Sequence, residues 1–364
     1  MSMMLYNMFM PSSELCLLIE PNQIYSSPKQ FVNLETGKMH LDVAERAAAG
    51  GMNVFVSECD PRDAFEASRQ PGVYVFGGSA DFGFDADVIS EIRKQKLSHV
   101  SRRGLTQSSL SQMALPSVVA APRYNGGTHK YVIDTPEQKA TLLRFMERNA
   151  SNASLLEARP FIETPSDRYT SYRLVYSAIG KLLAAGLLYS APPDEMRILD
   201  YDDQFDESPL ADLSNRYSPC YLGSRNVCSN VTFGGQVIPL MGEAPSVQDE
   251  TAARVLGAHG IDPRRVTVPN KLLKAGDKVA RIIGKRAGLV VGLDFLQTTT
   301  GSFLFLEANR GPGAETYATC WPGDIIDQGQ TGKRRAMLSA AVDSIVATGE
   351  QPRKLTYAVL RGGR

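Results

Sequence analysis

The sequence predicts an α/β chain, with a parallel-sheet lobe first and then lobes in which helices alternate with antiparallel hairpins. Two observations carry this. Residues 14 to 98 alternate short apolar strands with helical segments, and strands separated by helices pair in parallel through crossovers. The segments on either side of Thr300-Gly301, within Gly292 to Gly313, are instead rich in Val, Leu, Phe and Thr around a polar pair, the pattern of a hairpin.

In chain order, the first lobe has strands at Leu15 to Ile19, Asn53 to Ser57 and Val73 to Phe76. Helices are expected around Leu41 to Ala49, Arg62 to Ser68 and Asp87 to Lys96. No Gly-x-Gly-x-x-Gly follows the first strand, so nothing supports a dinucleotide site. Val118 to Ala121 reads as a strand, leading into Pro122-Arg123-Tyr124-Asn125-Gly126-Gly127-Thr128-His129-Lys130, a second strand Tyr131 to Asp134 and a helix Pro136 to Arg148. The Gly-Gly pair can bend backbone N–H groups over phosphates, but taken alone it reads first as an ordinary hairpin turn. Leu155 to Ile162 is a further strand. Residues 192 to 218 are Pro-rich and acidic without a period, either a lid or a solvated loop, while Lys271 to Arg286 and Ala336 to Ala347 are helical in pattern.

Composition excludes several classes. The chain has 364 residues, with 39 Lys+Arg against 39 Asp+Glu, so neither nucleic acid nor an anionic membrane is an expected partner. Its 5 cysteines are scattered without a Cys-x-x-Cys pair, which indicates neither a disulfide framework nor a zinc site and points to the cytoplasm. The apolar start lacks a basic region and is broken by Pro11, which argues against a signal peptide.

The residues that carry chemistry lie in the predicted hairpin. A two-residue turn at Thr300-Gly301 sets Asp294 directly opposite Glu307, with Cβ atoms roughly 5 Å apart. Asn309 lies two residues further on and shares that face. Facing carboxylates repel unless a cation lies between them, and carboxylate plus amide oxygen is a ligand set that Mg²⁺ takes together with water and nucleotide phosphates. The plain alternative is a surface hairpin with two solvated acids.

The order Asp294, Glu307-Ala308-Asn309, Pro312-Gly313 resembles the metal-binding end of the ATP-grasp superfamily, in the style of D-alanine:D-alanine ligases. Further pieces extend the resemblance over roughly residues 100 to 316. It implies an ATP-grasp fold behind an N-terminal Rossmann-like lobe, divided as 1–98, a small lobe 99–190 and a large lobe 191–364. It also implies ATP as nucleotide and two Mg²⁺ ions, replaceable by Mn²⁺, held by Asp294, Glu307 and Asn309.

By the same resemblance Gly126 and Gly127 cover the phosphates, and the adenine is read by the Pro160 carbonyl and the Ile162 N–H. Proline keeps its carbonyl and is compatible with that role. Glu163 or Asp167 would accept from the ribose, although each is equally readable as a solvated loop charge. Arg173, in the next hairpin (Ser171 to Val175 and Gly180 to Ala185), would sit near the phosphates or the acyl phosphate. Ser229-Asn230 with Gly234-Gly235 resembles a stretch of glutamate-adding ligases, with Cys228 where an arginine is usual. Arg310 would hold a substrate carboxylate.

The usual phosphate-binding lysine is replaced by Ala121. Arg123, on the same strand face, is the expected substitute, with Lys130 as a second candidate. A second family lysine has no clear counterpart, although Arg102 and Arg103 lie in the region. The function implied is an ATP- and Mg²⁺-dependent carboxylate–amine ligase working through an acyl phosphate on small-molecule or peptide substrates. A kinase acting on a hydroxyl and a degenerate ATP-binding subunit stay open, as does a homodimer.

Overall fold

The structure, a computed structural model, describes residues 16–20, 35–57, 73–77, 84–120, 130–148, 156–191, 229, 235–241, 249–284, 289–309, 329–347 and 357–360. In chain order these form β1 (Cys16–Glu20), α1 (Glu35–Ala49), β2 (Asn53–Ser57), β3 (Val73–Gly77), α2 (Phe84–Lys94), β4 (Arg103–Gly104), α3 (Gln107–Ser111), β5 (Ser117–Ala120), β6 (Lys130–Ile133) and α4 (Pro136–Arg148). They continue with β7 (Glu157–Pro160), β8 (Thr170–Ser177), β9 (Leu182–Tyr189), β10 (Gln236–Pro239), α5 (Glu250–Ala258), α6 (Asn270–Ile283), β11 (Val290–Gln297), β12 (Phe303–Asn309), α7 (Gly329–Val346) and β13 (Tyr357–Leu360). The helix expected around Arg62 to Ser68 lies outside the described residues.

Three sheets result. The first, ordered β13-β2-β1-β3, is parallel at every pairing, as the strand–helix alternation predicts. Its outer strand is not foreseen, because Tyr357–Leu360 belongs by sequence to the far end of the chain yet pairs with β2. An edge strand offers a row of unmade hydrogen bonds to any strand that reaches it, however distant in sequence. The second sheet, β10-β9-β8-β11-β12, is antiparallel, as is the third, β4-β7-β5-β6.

The five-stranded sheet sorts its side chains by parity. Tyr172, Leu174 and Tyr176 of β8, with Val291, Leu293 and Phe295 of β11, enter the largest core beneath α2, α5 and α6. On α6 the buried residues Leu272, Gly276, Val279, Ala280 and Ile283 recur at helical spacing. A Cβ on Gly276 would lie 2.5 Å from Leu174 Cδ1 and 2.6 Å from the Tyr176 hydroxyl, so glycine lets helix and sheet approach. Gly276→Ala is therefore expected to cost about 1–3 kcal/mol through overpacking, read as a lower midpoint in urea.

The opposite face is covered at its two ends by different partners. Val175, Ala184 and Val290 pack with Val43 and Ala47 of α1 and Met337, Ala341 and Ile345 of α7. At the other end Leu296, Leu306 and Tyr169 pack with Val118 and Val132 of the third sheet, with Phe161, Ile162 and Leu304 at the margin. The polar residues lie between these two apolar clusters. Along β11 that face runs Val290, Gly292, Asp294, Leu296, from one cluster to the other.

A buried polar network sits on the helix-covered side. His259, 5 % exposed, follows α5 and has Nε2 2.9 Å from Thr170 Oγ1 and Nδ1 2.6 Å from Gln297 Oε1. The Tyr172 hydroxyl donates to the same Gln297 oxygen at 2.9 Å. Burial lowers the His259 pKa, and the Gln297 hydrogen bond offsets part of that. The unfolded chain therefore binds the proton first. Stability is full while His259 is neutral in both states, and is lost as pH falls through the ordinary histidine range toward the lowered folded value. Chemical denaturation between pH 8 and pH 5 should show a loss that is smaller in His259→Gln.

Candidate functional site

The β11–β12 hairpin differs from the sequence expectation in a way that matters. The turn is not the two-residue Thr300-Gly301 turn. Thr298 N–H donates to Ser302 O at 2.9 Å and Gly301 N–H to Thr298 O at 2.8 Å, enclosing a three-residue loop with Gly301 at φ +77. Such a loop needs a residue tolerant of positive φ, and glycine supplies it without steric cost. The pairs next to it, Gln297↔Phe303, Leu296↔Leu304 and Phe295↔Phe305, are accordingly shifted by one from the expected register.

A bulge restores that register. Between Phe295 and Asp294 the pairing skips Leu306, after which Asp294↔Glu307, Leu293↔Ala308 and Gly292↔Asn309 are partners. Asp294 and Glu307 do face each other, through a loop and a bulge whose offsets cancel. The bulge also sets the face. Phe303, Phe305 and Ala308 pack into the helix-covered core, whereas Leu304 and Leu306 pack into the cluster on the other side. Strict alternation from Phe305 would have turned Glu307 into the apolar core; the extra residue re-aims it.

On this face Arg173 of β8 is the register partner of Asp294, so Arg173, Asp294 and Glu307 form one row across three strands. Arg173 Nε donates to Asp294 Oδ1 and Nη2 to Oδ2, each at 2.6 Å, a two-pronged pair with side chains 17 % and 6 % exposed. Asn309 Nδ2 donates to Asp294 Oδ2 at 3.3 Å. At the far end of the row Arg102 Nη2 lies 3.6 Å from Glu307 Oε2 and donates to Leu306 O. Two guanidiniums thus stand against two carboxylates. The cation that facing acids require is supplied by arginines within the chain, which the sequence reading did not foresee.

The three expected metal ligands are brought together, and Arg173 lies with them against Asp294. Their hard oxygen donors fit Mg²⁺ in kind. Asn309 turns its NH₂ group to Asp294, and a half-turn of the amide would bring its oxygen to the same place. Asp294 could join a metal site only by sharing oxygens that Arg173 already engages. Among the described residues no group of three or more His, Cys, Asp or Glu is arranged as a metal site; this set has two carboxylates and an amide.

The apolar cluster adjoins this row. Phe161 N–H donates to Pro116 O at 3.1 Å, so the backbone groups of Phe161 face β5. By strand alternation those of Pro160 face the other edge, beyond the Arg103↔Ala158 pair where the β4 ladder ends. Ile162 follows against Val118, Val132, Leu296 and Leu306. Glu163 is exposed, and Asp167 is 3.2 Å from Arg254.

Ser229 Oγ lies 2.7 Å from Ser171 Oγ, two residues before Arg173, which brings Ser229 to the same sheet face. Lys130 pairs with Ala120 at the end of β6. Asn230, Arg123, Gly126, Gly127 and Arg310, together with the Lys130 side chain, lie outside the described residues. Arg102 is the site residue whose place the sequence left open. It acts on residues some 200 positions away, and no local pattern signals such a contact.

No helix among the described residues is long and apolar enough to cross a membrane. No family model matches the sequence, and no curated protein matches it. Among solved structures the chain is similar to a D-alanine–D-alanine ligase from Bacillus anthracis complexed with ATP, at 11% identity over 93% of this chain and 99% of that one, TM-score 0.45. It is similar to the ATP-grasp ligase PsnB complexed with minimal precursor at 8% identity, covering 92% and 99%, TM-score 0.47. A third is the D-cycloserine synthetase DcsG, at 12% identity, 91% and 99%, TM-score 0.45. Each of these TM-scores is below 0.5.

Proposed function

We propose that the protein is an ATP- and Mg²⁺-dependent carboxylate–amine ligase of the ATP-grasp kind. One observation carries the reading: a single sheet face passes from an apolar cluster shared with the neighbouring sheet into a charged row of Arg173, Asp294, Glu307 and Arg102, with Asn309 beside it. A nucleotide has the same polarity, with a flat apolar base at one end and phosphates at the other.

The adenine would lie against the half-buried Ile162 at the margin of that cluster, its exocyclic amine donating to the Pro160 carbonyl. A substrate carboxylate oxygen would attack the terminal phosphorus, ADP would leave, and an amine would then displace phosphate from the acyl carbon to form the amide. Mg²⁺, held by Glu307 and Asn309 with Asp294 shared, would neutralise phosphate charge. Arg173 would hold the Asp294 carboxylate in place and present positive charge on the phosphate side. No side-chain nucleophile is needed.

The two-pronged Arg173–Asp294 pair favours a second reading, an ATP-binding subunit without turnover, since the acids are already compensated. One assay separates them. Protein incubated with Mg²⁺-ATP and pooled amino acids is followed by mass spectrometry. ADP together with a new amide supports the ligase; nucleotide binding without ADP under every acceptor tried supports the subunit.

A further inference from the structure

β12 is an edge strand of the five-stranded sheet, and the chain leaving α2 is laid along its outer side. Phe305 N–H donates to Ser98 O at 3.0 Å, Val100 N–H donates to Phe305 O at 2.8 Å, and His99 bridges Phe305 in parallel. This strap delivers Arg102 to the bulge. It is braced from behind, since Arg93 Nη2 donates to Arg102 O at 3.2 Å and Arg93 Nε lies 3.3 Å from His99 Nε2.

The extra residue of a bulge loses its ladder partner, so its carbonyl needs another donor. Arg102 supplies one to Leu306 O and stands 3.6 Å from the carboxylate of the next residue, Glu307. We propose that Arg102 is a positioning residue for Glu307: by holding the bulge carbonyl and the carboxylate together it keeps Glu307 turned onto the Arg173 face. The strap from Ser98 to Arg102 is then part of the site's construction as well as an edge cover. This inference rests on the ligase reading, in which Glu307 holds Mg²⁺.

The test uses the full chain with a non-hydrolysable ATP analogue and Mn²⁺ as probe, free Mn²⁺ being counted by electron paramagnetic resonance. Arg102→Ala should weaken Mn²⁺ binding about 10- to 100-fold, the scale for a group that orients a metal ligand, with the far-ultraviolet dichroism retained. Arg102→Lys keeps the charge but not the fork and should recover part of the loss. Wild-type Mn²⁺ affinity in Arg102→Ala would overturn the proposal and leave Arg102 to edge packing. Should that variant not fold, Arg102→Met, which keeps the apolar stem and removes the charge and the donors, decides in its place, unchanged affinity overturning the proposal. If the wild type has no Mn²⁺ site that Glu307→Ala removes, the ligase reading falls first and the proposal falls with it.

Discussion

Arg173→Ala is expected to lower the unfolding free energy by about 3–5 kcal/mol, because it strands the Asp294 carboxylate in a nearly closed site. The pair itself has a different worth. Two charges taken out of water recover little more than their desolvation cost, so Arg173→Met combined with Asp294→Leu should restore most of the stability lost by the single change. Urea denaturation of the two single variants and the double variant gives the coupling. Divalent cation adds a further arm. If Asp294 belongs to a metal site, millimolar Mg²⁺ should return part of the stability of Arg173→Ala by binding only the folded state, while doing little for Arg173→Met with Asp294→Leu. A Mg²⁺ response equal in both would assign Asp294 to the arginine pair alone.

Glu307→Ala and Asn309→Ala carry the largest expected effect on activity. Each should reduce ATP turnover by more than about 100-fold, beyond the 10–100-fold typical of residues that only orient a metal ligand. The cost to folding should be small. Glu307 is 25 % exposed and its partner stands 3.6 Å away, so the ion pair contributes at most about 1 kcal/mol. Turnover measured as ADP release, beside the thermal midpoint, separates the two roles. Normal turnover in both variants would reduce the hairpin to a structural element.

Much of the scaffold was legible because its signals are local. The apolar runs expected at 53–57 and 73–76 and the two arms of the hairpin around Thr300-Gly301 are strands in the structure, and Pro136–Arg148 is a helix at its expected bounds. Each needs only period, flanking turns and propensity. The meeting of Asp294 with Glu307 was also legible, but by a route the pattern does not contain. The three-residue loop around Gly301 displaces the register by one, and the skipped Leu306 returns it. Both leave nearly the same sequence signature as a plain two-residue hairpin, since a turn residue and a bulge residue are marked by backbone angles and not by composition.

By itself the sequence determined which residues can bear the chemistry, two acids and an amide on one hairpin, because residue type and short spacing are properties of the chain alone. The tertiary structure decided which charges compensate them and where they sit. Arg173 meets Asp294 only because β8 and β11 are neighbours, and Arg102 meets Glu307 only because the strap from α2 runs along β12. It likewise decided that Tyr357–Leu360 closes the edge of the first sheet and that the charged row falls between two apolar clusters. These contacts join residues about 100 to 300 positions apart. Their free energy comes from burial and charge compensation on packing, quantities that arise only once distant segments share a surface.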